Sequence, residues 1–286
     1  MARSETAVQR LTTLGLLLLW EGVLNRSRLA GLLSLSDVRA SQQIQEFRDE
    51  HPRWLTWNTK SRSYHATPGA YAAAKRDEKN RDRADSLARY LNLVGVPYVT
   101  GSGQNVSPIC AAFPDISTPE PKAFATLSRA IRLGVLVEIT YRSMEQAGPH
   151  RRIIAPHHLV RAGRRWHVRA YCEARQSFRD YALGRIVGAS ILSQPGEHRA
   201  NDDPAWNAKV PVRLIAHPAL NRAQEDVIHH EYFAGTASRI VSCRGALVGY
   251  FIQDVRAATD LKTQRPPDYQ LAVENLDEVT PWLFPA

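Results

Sequence analysis

The sequence predicts an α+β chain of several domains: a helical N-terminal unit closed by a hairpin, a small antiparallel barrel, and an α+β C-terminal unit. Three observations carry this. Val8, Leu11, Leu14 and Leu18 recur at helical spacing; across 135–192 apolar and polar residues alternate with the period of two of a half-buried strand; after Pro204 helical and strand patterns take turns. At 286 residues and 44% hydrophobic content the chain can build two or three ordinary cores.

The first helix runs from Glu5 to Trp20 and stops at Gly22. Its apolar run, Leu14 to Trp20, falls far short of the roughly 20 residues that span a bilayer, so it reads as buried helix and no membrane contact is expected. Asn25 is placed to cap a second helix through Leu33, and Ser36, after the turn Ser34-Leu35-Ser36, to cap a third. In that third helix Ala40, Ile44 and Phe47 form an inward stripe. Val38, Arg39, Gln42 and Gln45 then project outward with Ser41 and Arg48 at the flanks, side chains suited to reading base edges in a groove. Pro52 ends the helix. Trp54-Leu55-Thr56-Trp57 and Ser63-Tyr64-His65-Ala66 follow as two strands, joined by a tip bearing Lys60 and Arg62. A helix-turn-helix with a basic wing over residues 1–70 predicts contact with double-stranded DNA. Arg26, Arg28, Ser36, Lys60 and Arg62 complete the expected DNA-binding set. The charge there is mild, 9 basic residues to 6 acidic, and a protein-binding helical unit remains an alternative.

Residues 71–121 read as connector and linker. A mixed-charge run from Lys75 to Arg83 suits a solvated helix face, while Leu87, Tyr90, Leu91 and Val94 make an apolar stripe that packs on a neighbour or a partner chain. Gly101-Ser102-Gly103 with five prolines between Val96 and Pro121 breaks regular structure, and no Lys-Ser/Thr follows to make a phosphate loop.

A helix from Pro121 to Leu133, with Phe124, Leu127 and Ile131, leads into the barrel, 122–200. Val137, Ile139 and Tyr141 share one face of its first strand. Trp166, Val168, Ala170 and Cys172 share one face of a later strand, leaving His167, Arg169 and Tyr171 on the other; Tyr181, Leu183 and Arg185 are co-facial in a third. Charge singles out the same region. The formal net charge is +9, and residues 129–200 hold 13 Arg and no Lys against 5 acidic residues. Guanidinium groups recognise phosphate or carboxylate bidentately, so an anionic ligand is expected; an Arg-rich genome would give the same composition.

A third unit covers 205–286, and across 201–286 the balance reverses to 8 basic and 11 acidic residues. Val210 to Ile215 reads as strand, Asn221 to Phe233 as helix, Ala237 to Cys243 as strand, Gly245 to Ala258 as amphipathic helix and Tyr269 to Glu274 as a last strand. Trp282, Leu283 and Phe284 suit a buried or interface tail. Cys110, Cys172 and Cys243 are too scattered for a disulfide framework or a zinc site, which fits a reducing cytoplasm. His229-His230-Glu231 lacks metal-ligand spacing; neither metal nor cofactor is expected.

Three motifs, Tyr141-Arg142-Ser143, Pro156-His157-His158-Leu159 with Trp166-His167-Val168-Arg169, and Phe178-Arg179-Asp180-Tyr181 through Arg185-Ile186, resemble the WYL ligand-binding domain of bacterial transcription regulators. His217-Pro218, Glu231-Tyr232-Phe233 and Arg244-Gly245-Ala246-Leu247 resemble the C-terminal extension of the BrxR and CapW repressors of phage-defence islands. The name-giving triplet stands here as Trp166-His167-Val168, closer to the BrxR and CapW form. The resemblance implies a winged helix-turn-helix, an SH3/Sm-like barrel and a WCX-like dimerisation domain. It implies a homodimeric repressor that binds a palindromic operator beside a phage-defence operon and answers to an anionic, nucleotide-like ligand. By motif position the ligand would meet Tyr141, Ser143, His157, Arg169, Arg179 and Arg185. Core packing of Tyr141, a purely structural hydrogen bond from His157 and a surface pair of Arg179 with Asp180 are the competing readings. At the level of the whole chain the rivals are a nucleic-acid-processing enzyme, for which no paired carboxylates or nucleophile elbow are present, and a ligand-sensing scaffold that does not touch DNA.

Overall fold

The computed structural model describes residues 5–77, 83–95, 117–145, 147–163 and 165–284. They fall in two compact units, Met1–Pro114 and Asp115–Ala286. The Gly101-Ser102-Gly103 linker, the charged stretch at 78–82, Cys110 and the side chains of Val8 and Leu11 lie outside what is described.

In the first unit α1 (Glu5–Glu21) ends at Gly22, whose φ of +72° suits a residue without a Cβ. A two-residue strand β1 (Val23–Leu24) comes next and pairs with the wing, an addition the pattern does not announce. Asn25 caps α2 (Arg26–Leu33) by accepting the N–H groups of Ser27 and Arg28, and Ser36 caps α3 (Asp37–Glu50) by accepting that of Arg39. Ala40, Ile44 and Phe47 are buried against Leu14, Leu17, Leu18 and Leu29. Gln43 joins that inward side. The hairpin β2 (Leu55–Asn58) and β3 (Ser63–Ala66) pairs in register from Leu55↔Ala66 to Asn58↔Ser63. Two helices follow, α4 (Pro68–Asp77) and α5 (Arg83–Val94). The second of them packs on α1, with Tyr90 buried and stacked on Trp20, and the Trp20 indole N–H donating to Ser86 at 3.1 Å.

In the second unit Glu120 caps α6 (Pro121–Leu133), and Gly134 ends it in the left-handed region. A five-stranded antiparallel sheet follows: β4 (Val135–Arg142), β5 (Pro149–Ala162), β6 (Arg165–Cys172), β7 (Ser177–Ala182) and β8 (Ile186–Pro195), in the order β7-β6-β5-β4-β8. The expected closed barrel is not found: β7 and β8 are the two edges and do not pair. The third expected strand is also cut short, because the chain turns into a 3-10 turn at Leu183–Arg185 before β8. Leu127, Val137, Ile139, Ile154, Val168, Ala170 and Cys172 form the core beneath α6, with Trp166 packed against it.

After α7 (Pro204–Asn207), a four-stranded sheet takes the order β10-β9-β12-β11 from β9 (Lys209–Ala216), β10 (Ser238–Arg244), β11 (Ala257–Ala258) and β12 (Leu271–Val273). The sheet is backed by α8 (Arg222–Phe233), which Asn221 and Gln224 cap reciprocally, and by α9 (Val248–Val255). The long amphipathic helix expected from Gly245 to Ala258 is thus a 3-10 turn, α9 and a short strand. A short helix, α10 (Leu276–Val279), precedes the tail, where Trp282 and Leu283 pack on this core.

Gly245 sits where a Cβ would press into the ring of Trp282 and come within 3.0 Å of the Ala205 carbonyl oxygen, a backbone atom with little freedom to retreat. Gly245→Ala is expected to lower the unfolding free energy by about 1–3 kcal/mol, read as a drop in Tm of the full chain.

Candidate functional site

Two surfaces carry the chemistry that the sequence singles out, one in each unit. On the first, Val38, Arg39, Ser41, Gln42 and Gln45 project from the outer side of α3, and Val38 is 67% exposed. Arg39, Ser41 and Gln42 have no side-chain partner among the described residues, so their donors are open to a duplex. Arg48 is committed elsewhere: it donates to the Tyr64 hydroxyl at 3.0 Å and lies over that ring, tying α3 to the wing. Gln45 donates to Asp49, Arg26 lies 3.5 Å from Asp37, and Arg28 is held by Glu21 at 2.9 Å. Lys60 and Arg62 are exposed at the wing tip. Trp57, 52% exposed beside Tyr64, adds an apolar ring to the wing that the charge pattern does not reveal.

On the second unit the polar face of β6 is covered rather than solvated. Asp203, fully buried, accepts from Arg169 Nε at 2.7 Å and Nη2 at 3.1 Å, lies 3.2 Å from His157 Nε2, and caps α7 by accepting the N–H groups of Ala205 and Trp206. Arg169 Nη1 reaches Asp180 at 3.3 Å, and the other oxygen of Asp180 accepts the Tyr250 hydroxyl at 3.2 Å. Burial raises the Asp180 carboxyl despite the pull of Arg169. Burial opposes ionisation of Asp203 too, but the hydrogen bonds and charge of Arg169 win and hold it below the carboxylate range. A bulge in β5 places His157 in this network: Pro156 pairs with Ala170 and His158 with Arg169, so His157 is the extra residue.

Beside the network lies a cavity of about 820 Å³, within the range of small-molecule sites. Tyr141, Arg165, His167, Asp180 and Arg185 line it from the five-stranded sheet and its 3-10 turn, with Met144 and Gly163 at loop positions. Tyr250, Gln253, Asp254 and Phe284 close it from α9 and the tail. Neither Arg165 nor Arg185 has a carboxylate partner among the described residues. His167 is 8% exposed, packs on Tyr250 at 4.8 Å, and keeps its buried Nδ1 without a hydrogen-bond partner. Burial, reinforced by the charges of Arg165 and Arg185, lowers its pKa to about 4, so the ring is neutral at pH 7.

Of the six ligand residues expected from the sequence, the structure brings Tyr141 and Arg185 together in this cavity. Tyr141 also packs edge-on against Tyr181 in the core, so one side chain belongs both to the core and to the cavity lining. Arg169 and His157 lie in the Asp203 network; with its donors taken by Asp203 and Asp180, Arg169 is not an open guanidinium. Arg179 is exposed, donates to Ser177, and is not paired with Asp180 as the surface reading supposed. Ser143 lies just beyond the end of β4 and outside the lining. Sequence reasoning missed Arg165 and His167 as cavity residues, though His167 falls in the motif it used and Arg165 directly precedes it. It also missed the whole wall given by Tyr250, Gln253, Asp254 and Phe284. Among the described residues no cluster of three or more His, Cys, Asp or Glu side chains could hold a metal ion, and no helix is long and apolar enough to cross a membrane.

Three family models match the chain: the BrxR transcriptional regulator winged helix-turn-helix domain over 6–75, the WYL domain over 122–191, and the BrxR transcriptional regulator C-terminal dimerization domain over 209–279. A DNA-binding transcriptional repressor CapW of Pseudomonas aeruginosa is 34% identical over 272 residues, covering 95% of this chain and 90% of that protein. CapW repressors of Escherichia coli and Stenotrophomonas maltophilia are each 32% identical, over 277 and 285 residues, covering 95% and 96% of this chain and 90% and 91% of theirs.

His157 and His167 are both driven to about 4 from the usual 6.5, in each case chiefly by burial. The unfolded chain therefore takes up these protons first as pH falls through 6.5, and the folded state loses stability until about pH 4, on the order of 3 kcal/mol for each ring. Thermal unfolding of the full chain should show a Tm falling across that window, with a shallower fall in His167→Gln.

Proposed function

Because the chain belongs to the family of CapW DNA-binding transcriptional repressors, we propose that it is a sequence-specific repressor that binds DNA as a homodimer and is controlled by an anionic ligand held in the cavity beside β6. The carrying observation is the outer face of α3. Buried Ala40, Ile44 and Phe47 fix the helix on one side, leaving Arg39, Ser41 and Gln42 unpaired on the other, next to a basic-tipped wing. Arg and Gln suit guanine and adenine edges, while Lys60 and Arg62 suit phosphates. The target on this reading is a palindrome in the chain's own promoter, beside phage-defence genes, with half-sites about one helical turn or a multiple apart.

The dimerization model matched at 209–279 supports the homodimer, as do the exposed Val227 and Tyr232 of α8 and Ile240 on the edge strand β10. The ligand reading rests on Arg165 and Arg185, uncompensated charges converging on one cavity with a neutral, unpartnered imidazole. An anion held by these arginines shares the cavity with the hydrogen bond from Tyr250 to Asp180 that joins the sheet to α9. Its effect on DNA is set by unequal affinity for the DNA-competent and incompetent arrangements.

Gel-shift titrations on the upstream region should show Arg39→Ala and Gln42→Ala each losing about 1–3 kcal/mol of specific binding, whereas Lys60→Ala weakens binding to all sequences and lowers the salt slope by about 1. Unchanged operator affinity in both α3 variants would refute the reading of that helix. Arg165→Glu with Arg185→Glu should retain operator binding while the response to ligand is lost.

A further inference from the structure

Resting on the reading of the cavity as an anion site, we propose that Asp254 and Gln253 of α9 select a ligand that carries, besides its phosphate, an amino group on a planar ring. The two walls of the cavity differ in chemistry. The sheet side offers the guanidinium groups of Arg165 and Arg185, with the ring of His167 and the phenol of Tyr141 completing the lining. The α9 side offers a carboxylate and an amide instead. Of the two carboxylates lining the cavity, Asp180 has both oxygens engaged, by Arg169 and by Tyr250. Asp254 has no hydrogen-bond or ion-pair partner among the described residues, and the Gln253 side chain is equally free.

A purely anionic ligand such as inorganic phosphate would satisfy the arginines and be repelled by Asp254. A ligand with an N–H donor at its far end satisfies both walls, because a carboxylate accepts from an exocyclic amine as it does from the N4 amino group of cytosine. Tyr250 of the α9 wall packs against His167 at 4.8 Å and against Phe284 at 4.7 Å. These rings give a planar heterocycle an apolar surface to stack on. The cavity is large enough for a nucleoside monophosphate. Selectivity of this kind would come from the C-terminal module and leave the anion to the sheet.

The test compares CMP with UMP, which have the same charge and differ in the base edge, an amine at C4 beside an acceptor N3 in CMP and a carbonyl beside N3–H in UMP, using calorimetric titration of the full chain with inorganic phosphate as a third probe. CMP should bind about tenfold more tightly than UMP. Asp254→Asn, whose amide can donate to the uracil O4, should erase or invert that preference while leaving phosphate affinity unchanged or higher. Equal affinity for CMP and UMP, or a CMP preference that survives Asp254→Asn, overturns the proposal. In the first of those cases, loss of both nucleotides in Arg185→Glu shows that the anion site stands without amine selection. If none of the three probes binds the wild-type chain, the anion-site reading falls and the proposal falls with it.

Discussion

One carboxylate holds the second unit together. Asp203 accepts two N–H groups from Arg169 and two from the backbone of its own turn, and it lies against His157, all away from water. A buried charge is tolerated only when its lone pairs are filled this completely, and removing one partner of such a pair typically costs about 3–5 kcal/mol. The partners lie 34 and 46 residues upstream in the five-stranded sheet, so the bond closes the C-terminal segment onto that sheet. The cavity depends on this closure, since its second wall comes from α9 and the tail.

The same closure explains the alternation in β6. Val168, Ala170 and Cys172 enter the core beneath α6, and the opposite face is buried as well. There Arg169 finds Asp203, His167 finds Tyr250, and Tyr171 stacks on His198 at 3.6 Å. Most of the polar side of the strand thus serves as an internal interface, while Arg165 at its start is exposed and the buried Nδ1 of His167 has no hydrogen-bond partner.

Local chemistry was legible in advance and distant pairing was not. Asn25 and Ser36 cap helices where the sequence places them, because a cap is settled within three residues. The inward stripe of α3 and the wing register follow from periodicities of 3.6 and two. Asp203 gives no such signal: it lies in an irregular stretch whose partners depend on how two modules meet. Arg169 was taken for an open guanidinium because alternation separates the faces of a strand without saying what covers them. The barrel expectation failed for a related reason, as strand count and glycine punctuation do not decide whether the last edge meets the first. The presence of His, Arg and Tyr together on one face of β6, bulky groups rather than small solvated ones, was the available hint that it would be covered.

The outer row of α3 and the cavity wall differ in how freely they can change. Arg39, Ser41 and Gln42 are held by nothing else in the fold, so substitution there leaves capping and core untouched. Tyr250 and Asp180 hold one another across the modules, and altering either loosens the scaffold as well as the pocket. Among descendants of a common ancestor, the outer row of α3 is thus free to drift from one genome to the next without harm to the fold, while the chamber beside β6 is anchored by the architecture it helps to join.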